Sequence, residues 1–277
     1  MQVCHTVAEV RKALKAAKRP LGLVPTMGYL HAGHLALVKR ARGENETVAV
    51  SIFVNPTQFG PNEDLAEYPR DMKRDLRLLE EEEVDLVFAP EPQEMYPLDF
   101  STYVQVERVT EQLEGASRPG HFRGVATVVA KLFNSIQPDR AYFGQKDAQQ
   151  LRVIRKMVDD LNMPVDIRAV PIVREKDGLA MSSRNVRLSP PERTAALVLS
   201  RALDAARALY DDGAREAQRL RDAMRAELAR EPLAKPDYVS VADAETLREL
   251  GTIDRPALVS LAVRVGPVRL IDNVTLG

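Results

Sequence analysis

One cysteine, Cys4, stands among 277 residues. A lone thiol cannot close a disulfide within the chain, so no disulfide framework supports the fold. That usage suits a reducing compartment and leads to the expectation of a cytoplasmic protein. With no base partner evident nearby, Cys4 reads as a small packed residue. Net charge is equally scarce. The 39 lysines and arginines are offset by 40 acidic residues, leaving −1, so the basic excess of a nucleic-acid binder is missing. No stretch approaches the roughly 20 apolar residues of a membrane span. The first residues lack the charged and apolar regions of a secretory leader. There is no low-complexity tract and no internal repeat. What remains is a chain 45% apolar, long enough for one large or two modest domains with a real core.

Strand and helix patterns alternate through the first two-thirds. Thr6–Glu9 has the form of a capping box opening a short helix. Leu21–Thr26 reads as a buried strand, followed by a helix from Gly33 to about Gly43. Val48–Val54 is a second strand. A helix spans Pro69–Glu83, with Met72, Leu76 and Leu79 on its apolar face, and Val84–Phe88 is a third strand. A helix over Val125–Ile136, a strand at Ala141–Phe143, a helix over Gln149–Leu161 and a strand at Val165–Val173 complete the series. Such alternation predicts an α/β domain with a mostly parallel sheet covered on both faces. Thr102–Val106 alternates polar and apolar side chains and reads as an edge strand or surface pairing site. After Val173 the grammar changes. Ser189-Pro190-Pro191-Glu192 opens a helix, two helices are separated by Asp211-Asp212-Gly213, and three short strands close the chain at Tyr238–Val241, Ala257–Val265 and Val268–Ile271, the last two joined by Gly266-Pro267. The expected organisation is 1–174 as a Rossmann-like, doubly wound domain and 175–277 as a smaller α+β lid domain.

The most informative segment is Pro25–His34, where a strand turns into a helix. His31 and His34 there sit at the carboxyl end of a strand, the position at which open α/β sheets bind ligands. Imidazolium N–H groups and a helix N-terminus both favour anions, so phosphate contact is one reading. Spacing of three also puts both rings on one helix face, so a metal pair is an alternative, although no cysteine or acidic residue adjoins them; packed histidines are another. Gly28 and Gly33 would let backbone approach a ligand closely. Lys146 follows the strand Ala141–Phe143 through Gly144 and so reaches another strand's carboxyl end. Asn55, Gln58 and Gln150 are uncharged amides near strand ends, able to donate and to accept, though turn formation would also explain Asn55 before Pro56. Ser182, Ser183 and Arg184 lie in a polar loop, where hydroxyl and guanidinium donors match phosphate oxygens. His121 and Arg123 lie between Gly120 and Gly124 in a shaped loop ahead of Val125. Gly60–Asp64 reads as a loop that could serve as a lid.

The segment Met27–His34 resembles the HIGH motif of the nucleotidyltransferase superfamily, and Met181-Ser182-Ser183-Arg184-Asn185 looks like its second motif, KMSKS. Phe143–Gln150, Val54–Phe59, Arg118–Gly124 and Arg269–Asn273 extend the likeness along nearly the whole chain, in order, to the pantothenate synthetase (pantoate–β-alanine ligase) family. The resemblance implies an ATP-dependent condensation of (R)-pantoate with β-alanine through a pantoyl adenylate. It implies ATP contacts at Met27, Gly28, Tyr29, Leu30, His31, Ala32, Gly33 and His34, at Gly144, Gln145, Lys146 and Asp147, at Val173, and at Met181, Ser182, Ser183 and Arg184. Of these, His31, His34, Lys146, Ser182, Ser183 and Arg184 would be catalytic, the histidines carrying or lending a proton near neutral pH. Gln58 and Gln150, with Asn55, would bind pantoate, Gln58 also neighbouring β-alanine. Members more often have glutamate where this chain has Gln145. The resemblance further implies Mg²⁺ bridging phosphates, with no protein metal ligand named, and a homodimer formed through the first domain. A nucleotidyltransferase for a phosphorylated substrate would need an extra cation cluster, against which the paired glutamines argue. A tRNA-linked enzyme would need a basic face, which the neutral charge balance lacks. A catalytically silent nucleotide sensor has no need of both histidines, Lys146 and the Ser-Ser-Arg loop together.

Overall fold

Six parallel strands form the first sheet of the computed structural model, which describes residues 1–61 and 63–277. They are β1 (Gln2–Cys4), β2 (Leu21–Thr26), β3 (Thr47–Ile52), β4 (Leu86–Phe88), β5 (Arg140–Gly144) and β6 (Asp166–Val170), in the order β1-β4-β3-β2-β5-β6. From β2 the chain winds outward through β3 and β4, then returns to lay β5 and β6 on the other side. The direction therefore reverses between β2 and β5, and a crevice opens beyond the carboxyl ends of those two strands. β2 and β3 pair in register from Leu21↔Thr47 to Thr26↔Ile52.

Side-chain alternation on the strands supplies two cores. Leu21, Leu23 and Ala49 face one side, packed with Val125, Val129 and Phe133 of α6 (His121–Ile136) and Ile154 of α7 (Ala148–Asp160). Val24, Val48 and Val50 face the other, against Leu37, Val38 and Ala41 of α2 (Ala32–Glu44) and Leu79 of α3 (Met72–Glu81). Helix α1 (Val7–Leu14) starts at Thr6, whose hydroxyl accepts from Glu9 N while the Glu9 carboxylate accepts from Thr6 N. Short helices α4 (Pro92–Met95) and α5 (Glu114–Ser117) fill the long connection to α6.

Beyond β6, helices α8 (Pro190–Ala195), α9 (Val198–Asp211) and α10 (Ala217–Ala229) pack on an antiparallel sheet of β7 (Ala234–Asp243), β8 (Ala257–Val265) and β9 (Val268–Leu276). Their shared core joins Leu199, Ala202, Leu203 and Leu220 to Val241, Val259 and Leu261. The Arg269 guanidinium on β9 reaches back to the carboxylate of Glu114 with two hydrogen bonds of 2.6 and 2.9 Å.

Several expectations need correction. Thr102–Val106 is not a strand and pairs with none. Side chains take the place of a ladder: Val104 N donates to Thr127 Oγ1 and Val106 O accepts from Thr110 Oγ1, while Val106 packs in the core and Tyr103 stays exposed. Helix α3 begins only at Met72, because Asp71 caps it by accepting from Arg74 N, and Met72 is exposed rather than on the buried face. His121 and Arg123 belong to the first turn of α6, since Gly120 with φ 84° turns the chain into the helix there. The three-residue β1 carries no periodicity by which a sequence could announce it. β8 has the expected bounds, Ala257–Val265, whereas β7 and β9 run longer than their apolar runs suggest. Of the loop Gly60–Asp64, Asn62 lies outside the described residues.

Candidate active site

His31 ends the link from β2 and stands as the N-cap of α2, with φ −137° and ψ 174°. Its Nδ1 accepts from Gly33 N at 3.1 Å, and His34 Nδ1 accepts from His31 N at 3.4 Å. The two rings lie 4.1 Å apart, tilted by 36°. Because each Nδ1 is an acceptor, the ring proton of each sits on Nε2. Burial, then the Lys146 charge, pushes His31 down to about 4; burial, then His31 and Lys146, pushes His34 down to about 3. Both are therefore neutral near pH 7, which corrects the expectation of imidazolium groups that exchange protons there. They offer N–H donors without a charge. The backbone around them is shaped by Asp75 of α3, a buried carboxylate that accepts from Tyr29 N at 2.7 Å and Leu30 N at 2.8 Å. Burial raises its pKa above the ordinary carboxylate value. Gly28, at φ 81°, is required here: a Cβ would stand 3.0 Å from Ile52 Cγ2 and 3.1 Å from an Asp75 oxygen. At Gly33 a Cβ would press into the His31 ring at 2.8 Å.

Across the crevice, β5 ends at Gly144 and a single 3-10 turn, Gln145–Asp147, presents Lys146 beside Asp147, Nζ to carboxylate 3.9 Å. The Met181–Arg184 loop closes over the same space. Ser182 Oγ accepts from Arg184 N, and Tyr68 and Ser183 hydroxyls lie 3.4 Å apart. Arg184 donates from Nε and Nη2 to the two oxygens of Asp64, both at 2.9 Å, and Arg187 reaches the same carboxylate at 2.5 Å. Burial opposes the Arg184 charge, but the Asp64 pair outweighs it and raises the pKa.

The amides divide by their partners. Asn55 caps the 3-10 turn Pro56–Gln58. Its Nδ2 donates to Gln58 Oε1 at 3.0 Å and Gly124 O at 3.1 Å, and its Oδ1 accepts from the hydroxyls of Thr57 and Tyr96. Both donors and the acceptor of Asn55 are thus committed inside the protein. Gln58 has its oxygen occupied and its Nε2 left against Met27 Sδ at 3.2 Å. Gln150 makes no side-chain hydrogen bond among the described residues, whereas its neighbour Gln149 is used up on Glu114 N, Val109 O and Gln112 O.

Two cavities meet here. The smaller, about 200 Å³, is walled by Met27, His31, Gly33, His34, Asn55, Gln58, Gly144, Val173, Met181 and Ser183. The larger, about 500 Å³, lies toward β7–β9 and is walled by Glu63, Arg118 and Arg269. Lys146, Asp147, Gln150, Ser182 and Arg184 belong to both. Gly28, Tyr29, Leu30, Ala32 and Gln145 are on neither wall; Leu30 is wholly buried in the core below α2 and Ala32 points to solvent. His121 donates from Nδ1 to Gln58 O at 2.8 Å, and its Nε2 faces Arg118 Nη1 at 3.1 Å, so both ring nitrogens are occupied. Burial, then Arg118, pushes it down to about 4. Arg123 lies over the Tyr103 ring at 3.8 Å, away from both cavities. Arg118 in turn holds Glu63 with two bonds of 2.6 Å. Sequence reasoning missed Asp75 and Tyr68, and it read Glu63 and Asp64 only as part of a possible lid loop, not as partners of Arg118 and Arg184. The two loop acids could have been suspected as counter-ions for an arginine-rich loop, but nothing local says which arginines they meet.

A family model described as pantoate-beta-alanine ligase matches residues 2–275. The chain is 65% identical over 274 residues to a pantothenate synthetase of Chloroflexus aggregans, covering 99% of each. It is 62% identical over 276 residues to one of Roseiflexus sp., covering 100% of this chain and 99% of the other. Among solved structures it is similar to pantothenate synthetase from Thermus thermophilus, with TM-score 0.96, 53% identity and 99% of both chains covered. It is also similar to pantoate-beta-alanine ligase from Francisella tularensis complexed with beta-gamma ATP and beta-alanine, with TM-score 0.81, 32% identity, and 99% of this chain and 97% of that one covered.

Proposed function

The chain belongs to the pantoate-β-alanine ligase family, and from that premise we propose how its own residues carry out the ATP-dependent condensation of pantoate with β-alanine. A pantoate carboxylate oxygen attacks the α-phosphorus of ATP. The bond from that phosphorus to the bridging oxygen breaks, and pyrophosphate leaves a pantoyl adenylate. The β-alanine amine then attacks the acyl carbon, loses a proton and expels AMP, giving pantothenate.

Negative charge grows on the bridging oxygen in the first step, and fixed donors aimed at it are the strongest catalytic resource available. Lys146 and Arg184 supply charge, Ser182 and Ser183 supply hydroxyls, and His31 and His34 supply neutral Nε2–H donors. Arg184 needs no release from Asp64 for this, because its Nη1 group stays uncommitted among the described residues. A 200 Å³ cavity is below the usual size of a ligand site. The nucleotide would run along Met27, Gly33, Gly144 and Val173 and pass its phosphates into the larger cavity where Lys146, Asp147 and Arg184 stand. Pantoate would be held by the Gln58 Nε2 group and the Gln150 amide, which leave its carboxylate without a charged clamp and still nucleophilic. Asn55 and His121 hold Gln58 in place. The observation that carries this reading is the placement of cations where the cavities join and of an uncharged, oriented amide inside the smaller one.

Magnesium suits this donor set as a cation that arrives with the triphosphate. Among the described residues no three His, Cys, Asp or Glu side chains form a metal cluster, and Mg²⁺ keeps water and phosphate ligands with few protein groups. Asp147, half-exposed beside Lys146 and on the wall of both cavities, is the carboxylate that would be available to it. Bound, the ion would neutralise phosphate charge. Residues 175–277 would act as a lid that keeps water from the adenylate. The protein would be a cytoplasmic homodimer.

The test is a single-turnover assay. Pantoate and ATP alone should release pyrophosphate, and AMP should appear only when β-alanine is added. AMP formation only with all three substrates, and no adenylate, would overturn the two-step scheme.

A further inference from the structure

Asn273 lies on β9, in the last sheet of the chain, yet its side chain crosses to the Lys146 turn. Its Nδ2 donates to Gln145 O at 3.1 Å and to Lys146 O at 2.9 Å. Two acceptors for one amide group fix its orientation and leave the nitrogen no other partner. The residue is 4% exposed. Its Oδ1 is buried without any partner among the described residues, an unfavourable arrangement that a residue kept for stability alone would not need.

Asn273 is itself held. Asp272 Oδ1 accepts from Asn273 N at 2.8 Å, and the Asp272 carboxylate takes two bonds, of 2.6 and 2.9 Å, from Arg174. Arg174 directly follows Val173 and also donates to Gly178 O at 3.0 Å, within the loop that leads to Ser182. Asp272 is 2% exposed. One pair of adjacent residues therefore grips both ligand loops from outside: Asp272 the one after β6, Asn273 the one after β5. β9 belongs to the sheet opposite the six-stranded one, so the grip exists only while the two parts of the chain stay together.

We infer that Asn273, backed by Asp272, is a positioning residue that sets Lys146 for phosphate contact and couples that setting to the docking of β9. A 3-10 turn of three residues, Gln145–Asp147, has little internal hydrogen bonding to fix it, and two outside hydrogen bonds to its carbonyls hold the backbone from which the Lys146 side chain extends. The inference rests on the assignment of Lys146 to phosphate.

The experiment is a double-mutant cycle on single-turnover pyrophosphate release with Asn273→Ala, Lys146→Ala and both together. In the parent chain Asn273→Ala should slow release on the order of 100-fold, the scale of an ångström-sized misplacement, with pantoate affinity unchanged. In the Lys146→Ala background the same substitution should change the rate less than about threefold, because the group it positions is gone. Asn273→Asp keeps the shape, replaces the donor by an acceptor and should be slow as well; Asn273→Gln, which keeps the amide, should recover part of the rate if the Ala variant does not fold. Multiplicative losses, or an Asp variant as fast as the parent, would overturn the inference while leaving Lys146 in its role. A Lys146→Ala chain with full activity would instead overturn the reading of Lys146, and the inference with it.

Discussion

The Asn55 amide donates to Gln58 Oε1 at 3.0 Å, and that bond decides which end of Gln58 the smaller cavity meets. With the oxygen occupied, the Nε2 group is left to donate, its only partner among the described residues being the weak acceptor Met27 Sδ. With pantoate placed at Gln58 as proposed, its recognition would be set one residue back from the substrate. Asn55→Ala should free the Gln58 amide to rotate and leave Gly124 O unpaired. The unpaired Gly124 O should cost about 1–3 kcal/mol of stability, and the loss of Gln58 orientation should weaken pantoate binding with ATP affinity nearly intact. Titration calorimetry with each ligand checks this; a loss of ATP binding alone would place Gln58 in the nucleotide site.

Lys146→Ala and Cys4→Ala form a contrasting pair. Lys146 stands where both cavities join, with its ammonium able to face leaving-group charge. Losing one such donor costs about 3–4 kcal/mol, or roughly 10²–10³ in kcat. Cys4 is 1% exposed in the core beside β4, and burial raises its thiol pKa, so it is a packed, unreactive group. Its variant should keep kcat and lose only some thermal stability. Equal kcat values for the two variants would remove Lys146 from the chemistry.

The histidine pKa values predict a direction for pH. His31 and His121 are pushed down to about 4 and His34 to about 3, from 6.5, first of all by burial. Between those values the unfolded chain binds more protons than the folded one. The stability these groups contribute is therefore fully present above about 6.5 and lost as pH falls through 4 toward 3. Melting temperature should decline across that window, and the acid limb of kcat/KM should lie below the ordinary imidazole value. A limb centred near 6.5 that shifts when His34 becomes Gln would mean that His34 exchanges protons in the working range.

The proposed dimer would have a different physical basis from strand pairing. Leu98 is fully exposed and Tyr103 is 41% exposed, and Phe100 stacks edge-on between Tyr96 and Tyr103. Arg123 and Lys131 already lie over the Tyr103 and Phe100 rings, so Leu98 is the side chain that most calls for cover. Light scattering at micromolar concentration should report twice the chain mass, and Leu98→Glu should shift the population to monomer. A monomeric parent chain would contradict the assembly.

Local chemistry made much of the fold readable. The capping boxes at Thr6 and Ser189 and the apolar run Leu21–Thr26 act within a few residues, so the sequence itself carries the reason for α1, α8 and β2. The same holds for the gathering of His31, His34 and Lys146, because each follows a strand and strands of a doubly wound sheet deliver their carboxyl ends to one side. Thr102–Val106 shows the limit: alternation is necessary for an edge strand, but pairing needs a neighbour with free backbone groups, and the topology puts none there.

What sequence alone determined, then, was which residue types stand at the ends of which strands. Their state was decided by folding. An imidazole is neutral or charged according to the burial around it, and the burial of His34 and the nearby charge of Lys146, from the turn after β5, arise only in the folded chain. The pairings of Arg184 with Asp64 and of Asn273 with Lys146 join positions more than a hundred residues apart. Their partners are selected by tertiary geometry among many equivalent carboxylates and carbonyls, and no local pattern distinguishes the one that arrives within about 3 Å.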